Sequence, residues 1–425
     1  MVRYFRVLKG SKIKIRRSTV VAATIAVSIF LLTKCTNDNK PSDTPTTAET
    51  APRDRFGEYA GSATCENCHR DIYEKHGKTA HHLTSEPVSD NNILGSFKKG
   101  KNEFVFDKNT KVVMEKNDSG YFQVKYVDGK ATRKGRIDMV FGSGKIGQSY
   151  LEWIGNHLAQ LPVTYYGPEK QWSNSPGYPA DKVVYNRPIT SRCLECHTSF
   201  VQKTGESQNA EEYSKTRIIY GVECEKCHGP AAQHVEFQSQ NPSVKEAKFI
   251  VNPARLSRQQ NLDLCRLCHG GRLNKTKPSF EFSVGDSLSS FFAFNPLSIE
   301  MANIDVHGNQ YGLLSVSKCF EKSELKCTSC HDVHEKEDGK LEVFSQRCMN
   351  CHNPEKGHPC KMTAEIGPVI SQNCIDCHMP KQVSHTVSVY LQGSTTPTAA
   401  LMRTHYIKPY PEENEKVIAW LKKKR

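Results

Sequence analysis

Cys65 and Cys68 stand three positions apart, and His69 follows at once. The same Cys-x-x-Cys-His spacing recurs at Cys193, Cys196 and His197; Cys224, Cys227 and His228; Cys265, Cys268 and His269; Cys327, Cys330 and His331; Cys348, Cys351 and His352; and Cys374, Cys377 and His378. With 17 cysteines and 17 histidines in 425 residues, chance alone supplies about 0.03 such matches. Two thiols at this spacing reach the two vinyl groups on one porphyrin edge and form thioethers. The next histidine then lies under the ring and offers an imidazole nitrogen to iron. Zinc is the competing chemistry, because a Cys-x-x-Cys pair is half of a tetrahedral site. Zinc pairs would combine two by two, seven is an odd number, and zinc gives no reason for a histidine after every pair. The pattern predicts seven covalently bound haem c groups with their iron.

Each iron also has a sixth position. A second histidine there makes a low-spin centre suited to electron transfer, whereas an open position favours chemistry on a bound molecule. Ten histidines lie outside the motifs, enough for seven such positions with three to spare. No Cys-x-x-Cys-Lys site is present in the sequence, which removes one kind of nitrite-reducing haem.

The elements that position these groups fall into unlike stretches. Motif starts are separated by 128, 31, 41, 62, 21 and 26 residues, so the first site stands apart and six crowd together. The long gap holds short β-prone runs at Phe104–Phe106, Lys111–Lys116, Tyr121–Tyr126 and Ile137–Phe141, with turn signals at Asp118-Ser119-Gly120 and Asp128-Gly129. Beyond residue 191 no long strand is expected, only short helices and loops around haems. An apolar fraction of 37% fits a core partly built from porphyrin faces. The fold expected is a mainly α-helical and irregular multihaem core with a small β-rich insertion between the first and second haem sites. Its parts are a signal or anchor segment (1–34), a polar linker (35–56), a first haem segment (57–92), the β-rich insertion (93–190), a six-haem core (191–410), and a C-terminal helix with a basic tail (411–425).

The net charge of +13 falls to +5 without residues 1–34, which carry eight basic residues and no acid. Two propionates per haem then take the loaded chain from about −9 reduced to about −2 oxidised, which leaves no case for a nucleic-acid partner. Thr19–Leu32 is an apolar run of fourteen residues, short of the roughly 20 a membrane span needs and suited to a secretory signal. Cys35 follows, ahead of a polar tether. That layout is open to a lipid anchor on Cys35, an uncleaved signal anchor or ordinary cleavage, with Lys34 a poor match for lipoprotein processing. All three put the chain outside the cytoplasm. Cys319 and Cys360, 41 residues apart, are candidates for a disulfide in such an oxidising compartment.

Several stretches resemble the multihaem c-type cytochrome family (cytochrome c-552/c-554-like) that includes tetrahaem carriers and haem-rich proteins fused to tetratricopeptide repeats. Tyr59-Ala-Gly-Ser62, the first motif, Tyr73 and Thr79-Ala-His81 resemble its first haem segment, with His81 in the place of a distal ligand and His76 where tryptophan is usual. Gly221-Val-Glu-Cys224 through Pro230 to His234 resembles a second signature ending in a distal ligand, His234. Cys327–His331 with Asp332-Val333-His334 matches a Cys-His-Asp-Pro-His type with valine for proline. Cys374–His378 with Met379-Pro380 resembles the family's last haem, usually followed by a distant histidine, for which His405 fits better than His385. His307 and His358 also fit ligand positions, and His157 and His385 compete for a seventh. His76 and His82 read as structural or surface residues. The resemblance implies electron transfer between redox donor and acceptor proteins associated with a membrane. The rival is a reductase or oxidase of a small nitrogen or sulfur compound. It needs an open distal side, for which the Cys193 and Cys265 sites, with no neighbouring histidine in sequence, are candidates.

Overall fold

The computed structural model describes residues 55–207, 209–293, 304–356 and 359–423, all within one compact unit, Pro52–Arg425. The expected signal segment, Cys35 and His358 lie outside the described residues. Among the described residues no helix is long and apolar enough to cross a membrane.

The expectation of a mainly helical and irregular core is overturned. The chain is 30% helical and 28% strand, a mixed α/β fold with several sheets. Its strands are β1 (Ser85–Pro87), β2 (Glu103–Val105), β3 (Thr110–Asn117), β4 (Gly120–Val127), β5 (Lys130–Ile137), β6 (Met139–Phe141), β7 (Gly147–Ile154), β8 (His157–Gln160), β9 (Val163–Tyr166), β10 (Gln171–Asn174), β11 (Arg187–Pro188), β12 (Thr198–Ser207), β13 (Ala210–Tyr220), β14 (Asn274–Lys275), β15 (Phe292–Ala293), β16 (Lys381–Val389) and β17 (Thr398–Arg403).

Strands β2 to β5 form an antiparallel meander in sequence order. The turn from β4 to β5 is Asp128-Gly129, both at positive φ (49° and 76°), the conformation that lets a two-residue loop follow the twist of a hairpin. The run Ile137–Phe141 is not one strand. Ile137 ends β5, and Met139 begins β6 in a second sheet of order β1-β6-β7-β8-β11, with β9 on β7 and β10 on β9. Asp138 makes the crossing: its N–H donates to Leu151 O (2.9 Å) and its Oδ2 accepts from Trp153 N (2.8 Å). Phe104, Val112, Met114, Tyr121, Ile137, Val140, Tyr150 and Trp172 are buried together from both sheets. Each large apolar side chain so buried contributes about 1.5–3 kcal/mol relative to exposure.

A second cluster joins Met139, Leu151 and Leu158 of this β region to Leu194, Val201 and Tyr213. Leu194 lies inside the second motif, so the sheets form part of the floor under that site. The antiparallel hairpin β12–β13 follows that motif directly, and β16–β17 follows the seventh. Both contradict the expectation that long strands are absent after residue 191. Their exposed residues, such as Thr204, Glu206 and Lys215, have loop-like composition. The strands are held by a few buried positions, Val201 and Tyr213 in one and Val389 and Ala400 in the other.

The helices are short: α1 (Ser62–His76), α2 (Ser191–His197), α3 (Cys224–His228), α4 (Ala232–Gln240), α5 (Arg258–His269), α6 (Gln310–Ser315), α7 (Lys318–Glu321), α8 (Leu341–Met349), α9 (Thr363–Ile366), α10 (Ile375–His378) and α11 (Pro411–Lys423). α5 starts at a capping box in which Ser257 and Gln260 satisfy each other's backbone N–H, fixing the entry into the fourth motif. In α11, Val417 and Ile418 pack on Ile366 and Ile370.

Candidate haem sites

Motif cysteines sit on helices or tight turns because one helical turn sets the first and fourth residues on one side. The first motif opens α1, the second to fourth end or fill α2, α3 and α5, and the fifth lies on a 3-10 turn at Cys327–Ser329. Cys348 is in α8 and Cys377 in α10.

Sulfur atoms of different motifs meet. Cys65 shares a hydrogen bond with Cys224, Cys196 with Cys268, Cys265 with Cys327, and Cys348 with Cys374. Weaker charge contacts link Cys265 to Cys227, and Cys330 to Cys351. The motifs are therefore joined in the order first, third, fourth, fifth, sixth, seventh, with the second attached to the fourth.

An iron held between two imidazole nitrogens at about 2 Å each places the ring centroids roughly 6 Å apart. Three pairs that include a motif histidine show that separation. His81 faces His269 at 6.2 Å, His334 faces His228 at 6.2 Å, and His405 faces His331 at 6.2 Å. These partners come from other segments. His81, expected in the first haem segment, faces the fourth motif, and His405, expected to serve the last, faces the fifth. The Cys265 site thus has a histidine opposite its own, supplied from 188 residues earlier in the chain.

The other candidates are placed less completely. His234 is half-buried, its Nδ1 at 2.8 Å from Lys248 O, and its charge is felt at His228 together with that of His69. His307 is felt at His197, whose ring stacks on Phe141 at 4.1 Å and 22°. His352 and His378 are near enough to interact. His385 lies exposed on β16 and His157 on β8, with its buried Nδ1 unpartnered.

The polypeptide fits the group. His228 donates from Nδ1 to Val251 O (2.9 Å), and His269 Nδ1 meets Gln310 Oε1 (3.1 Å), which leaves Nε2 for a metal. Burial pushes His81, His197 and His405 down to about 4, so these imidazoles are neutral and able to ligate at physiological pH.

The residues between the cysteines do work that the sequence reading missed. Glu225 accepts from Ala60 N (2.8 Å), Gly61 N (2.9 Å) and Ala231 N (2.8 Å), tying the first haem segment to the third motif. Glu195 accepts from Arg192 (2.7 Å), Lys275 Nζ (2.9 Å) and Phe280 N (2.9 Å). Asp376 accepts from Arg403 (2.7 Å). The available signal was an acid inside the motif with arginine or lysine elsewhere to meet it. Cys319 and Cys360 are both free; Cys319 is near Cys351 and Cys330, whereas Cys360 is near Cys377. The disulfide is not formed.

A family model described as "Cytochrome c554 and c-prime" matches residues 170–229, the stretch with the second and third motifs. The dissimilatory sulfite reductase MccA of Wolinella succinogenes is 24% identical over 382 residues, covering 70% of this chain and 50% of the relative. The chain thus spans about half the length of that curated relative. The crystal structure of the outer cell wall cytochrome OcwA shares the fold, with a TM-score of 0.51 at 15% identity over 85% of this chain and 82% of the other. With the motif geometry, these similarities define the chain as a multihaem c-type cytochrome. Its cofactor is covalently bound haem c.

Proposed function

We propose that this cytochrome carries seven haem c groups and passes single electrons along them between redox partner proteins outside the cytoplasm. Bound haem c supplies one-electron cycling between Fe(III) and Fe(II). The observation that carries the reading is the pairing of motif cysteines from different sites, Cys65 with Cys224, Cys196 with Cys268, Cys265 with Cys327 and Cys348 with Cys374. The polypeptide's part is positioning: His69, His197, His228, His269, His331, His352 and His378 ligate from one side, and His81, His334 and His405 from the other. His234, His307 and His358 are the further candidates for the second side. The chain is exported, to the periplasm or the cell surface, and is held at a membrane through a lipid on Cys35 or through a signal anchor.

A second reading is reduction or oxidation of a small sulfur or nitrogen compound, supported by the similarity to a sulfite reductase. It requires a site with an open distal side, and His197 is its focus because its ring contact is with Phe141. Coulometry with ferric magnetic circular dichroism separates the two. Electron transfer predicts seven electrons per chain and low-spin irons throughout. A high-spin component that changes on adding sulfite, nitrite or hydroxylamine, with turnover, contradicts it in favour of the reductase.

A further inference from the structure

His76, His82 and Glu223 belong to none of the seven motifs, yet the fold gathers them. His76 ends α1 and is buried (8% exposed), His82 begins the next turn, and Glu223, 7% exposed, stands one residue before Cys224. One nitrogen from each histidine and one carboxylate oxygen lie within 4.8 Å of one another. His82 Nδ1 is 2.5 Å from Glu223 Oε1, and His76 Nδ1 is 3.8 Å from Glu223 Oε2. The two rings are 6.0 Å apart and inclined at 80°. Gly221 permits the approach: at φ +70° it passes so close that an added Cβ would meet His82 O at 2.4 Å.

The arrangement is half satisfied. Glu223 Oε2 is buried without a hydrogen-bond partner, a state that costs free energy unless something else occupies the space beside it. We propose that His76, His82 and Glu223 form a mononuclear site for a borderline divalent cation of the zinc type, with a position left open to water or a small ligand. Two imidazole nitrogens and one carboxylate suit zinc and its first-row neighbours. Calcium and magnesium are excluded as occupants because they demand oxygen ligands. The site stands beside the first and third haem motifs: Glu223 adjoins Cys224, and the charge of His334 is felt at His76. A doubly charged ion there raises the potentials of the nearest irons.

The test uses the haem-loaded protein and zinc alone. Crystals soaked in zinc and measured on both sides of its absorption edge should show an anomalous peak with three protein ligands at about 2.0–2.2 Å. In solution, His82→Ala and Glu223→Gln should each lose one tightly held zinc per chain while keeping the full haem mass. Absence of the peak from wild-type crystals overturns the proposal, even if the variants fail to fold. So does the appearance of high-spin ferric iron in His76→Ala or His82→Ala, because that outcome makes the histidine a haem ligand.

Discussion

Glu225 shows how a single carboxylate between two haem-binding cysteines fixes more than its own loop. Three backbone N–H groups from two segments converge on it, and hydrogen bonds to a charged group are each worth about 1.5–3 kcal/mol. Glu225→Gln keeps the shape, removes the charge and turns an NH2 toward a donor; urea unfolding should show a loss of about 3 kcal/mol. Glu211 makes a pH-dependent contribution. Burial raises its carboxyl, but Ser191, Tyr213 and Lys203 outweigh that and hold it below its ordinary value. A depressed carboxylate stabilises the fold fully above its unfolded pKa, and that contribution is lost as pH falls through the folded one. Glu211→Gln should therefore be less stable by about 1–2 kcal/mol at pH 7, with the difference shrinking as pH drops below about 4. Denaturant midpoints of both proteins across that range check it; a gap that is unchanged at low pH contradicts the assignment. Among the ligands, His405→Ala should convert one iron from low to high spin, read by ferric EPR, while the seven thioether attachments remain.

At the scale of elements, the small α2 helix is clasped by distant chain. Glu195, almost wholly buried, meets Arg192, Lys275 and Phe280 N, so removing it leaves two cations facing each other near the second site. Glu195→Ala should cost about 3–5 kcal/mol, seen as a lowered unfolding midpoint, whereas an exposed ion pair such as Lys416–Glu413 should contribute less than about 1 kcal/mol. Which elements were readable follows from the same physics. The turns at Asp118-Ser119 and Asp128-Gly129 and the apolar runs beside them announced β2 to β4, because turn chemistry and alternation are local. The β12–β13 and β16–β17 hairpins were not readable, since two or three buried positions decide them and their other residues are polar. The motifs stand out in the sequence because thioether attachment needs fixed spacing. Their partners were not: His81 meets His269, and His405 meets His331, only after the chain has folded. His76 and His82 read as structural or surface residues, and nothing local in the sequence shows that Glu223 is brought beside them.

Over the whole molecule, the sites form a line with one branch. The first site leads to the third and fourth, the fourth joins both the second and the fifth, and the sixth and seventh complete the line. Histidines cross between sites along this path, so the third, fourth and fifth sites are each braced by a segment that belongs to another. This account stands on one haem at every motif. The intact mass of the purified, mature holoprotein under denaturing conditions tests that most directly, because thioether-bound haem stays with the chain. The account predicts a mass seven haems above that of the mature polypeptide, and a mass showing fewer than seven would contradict it.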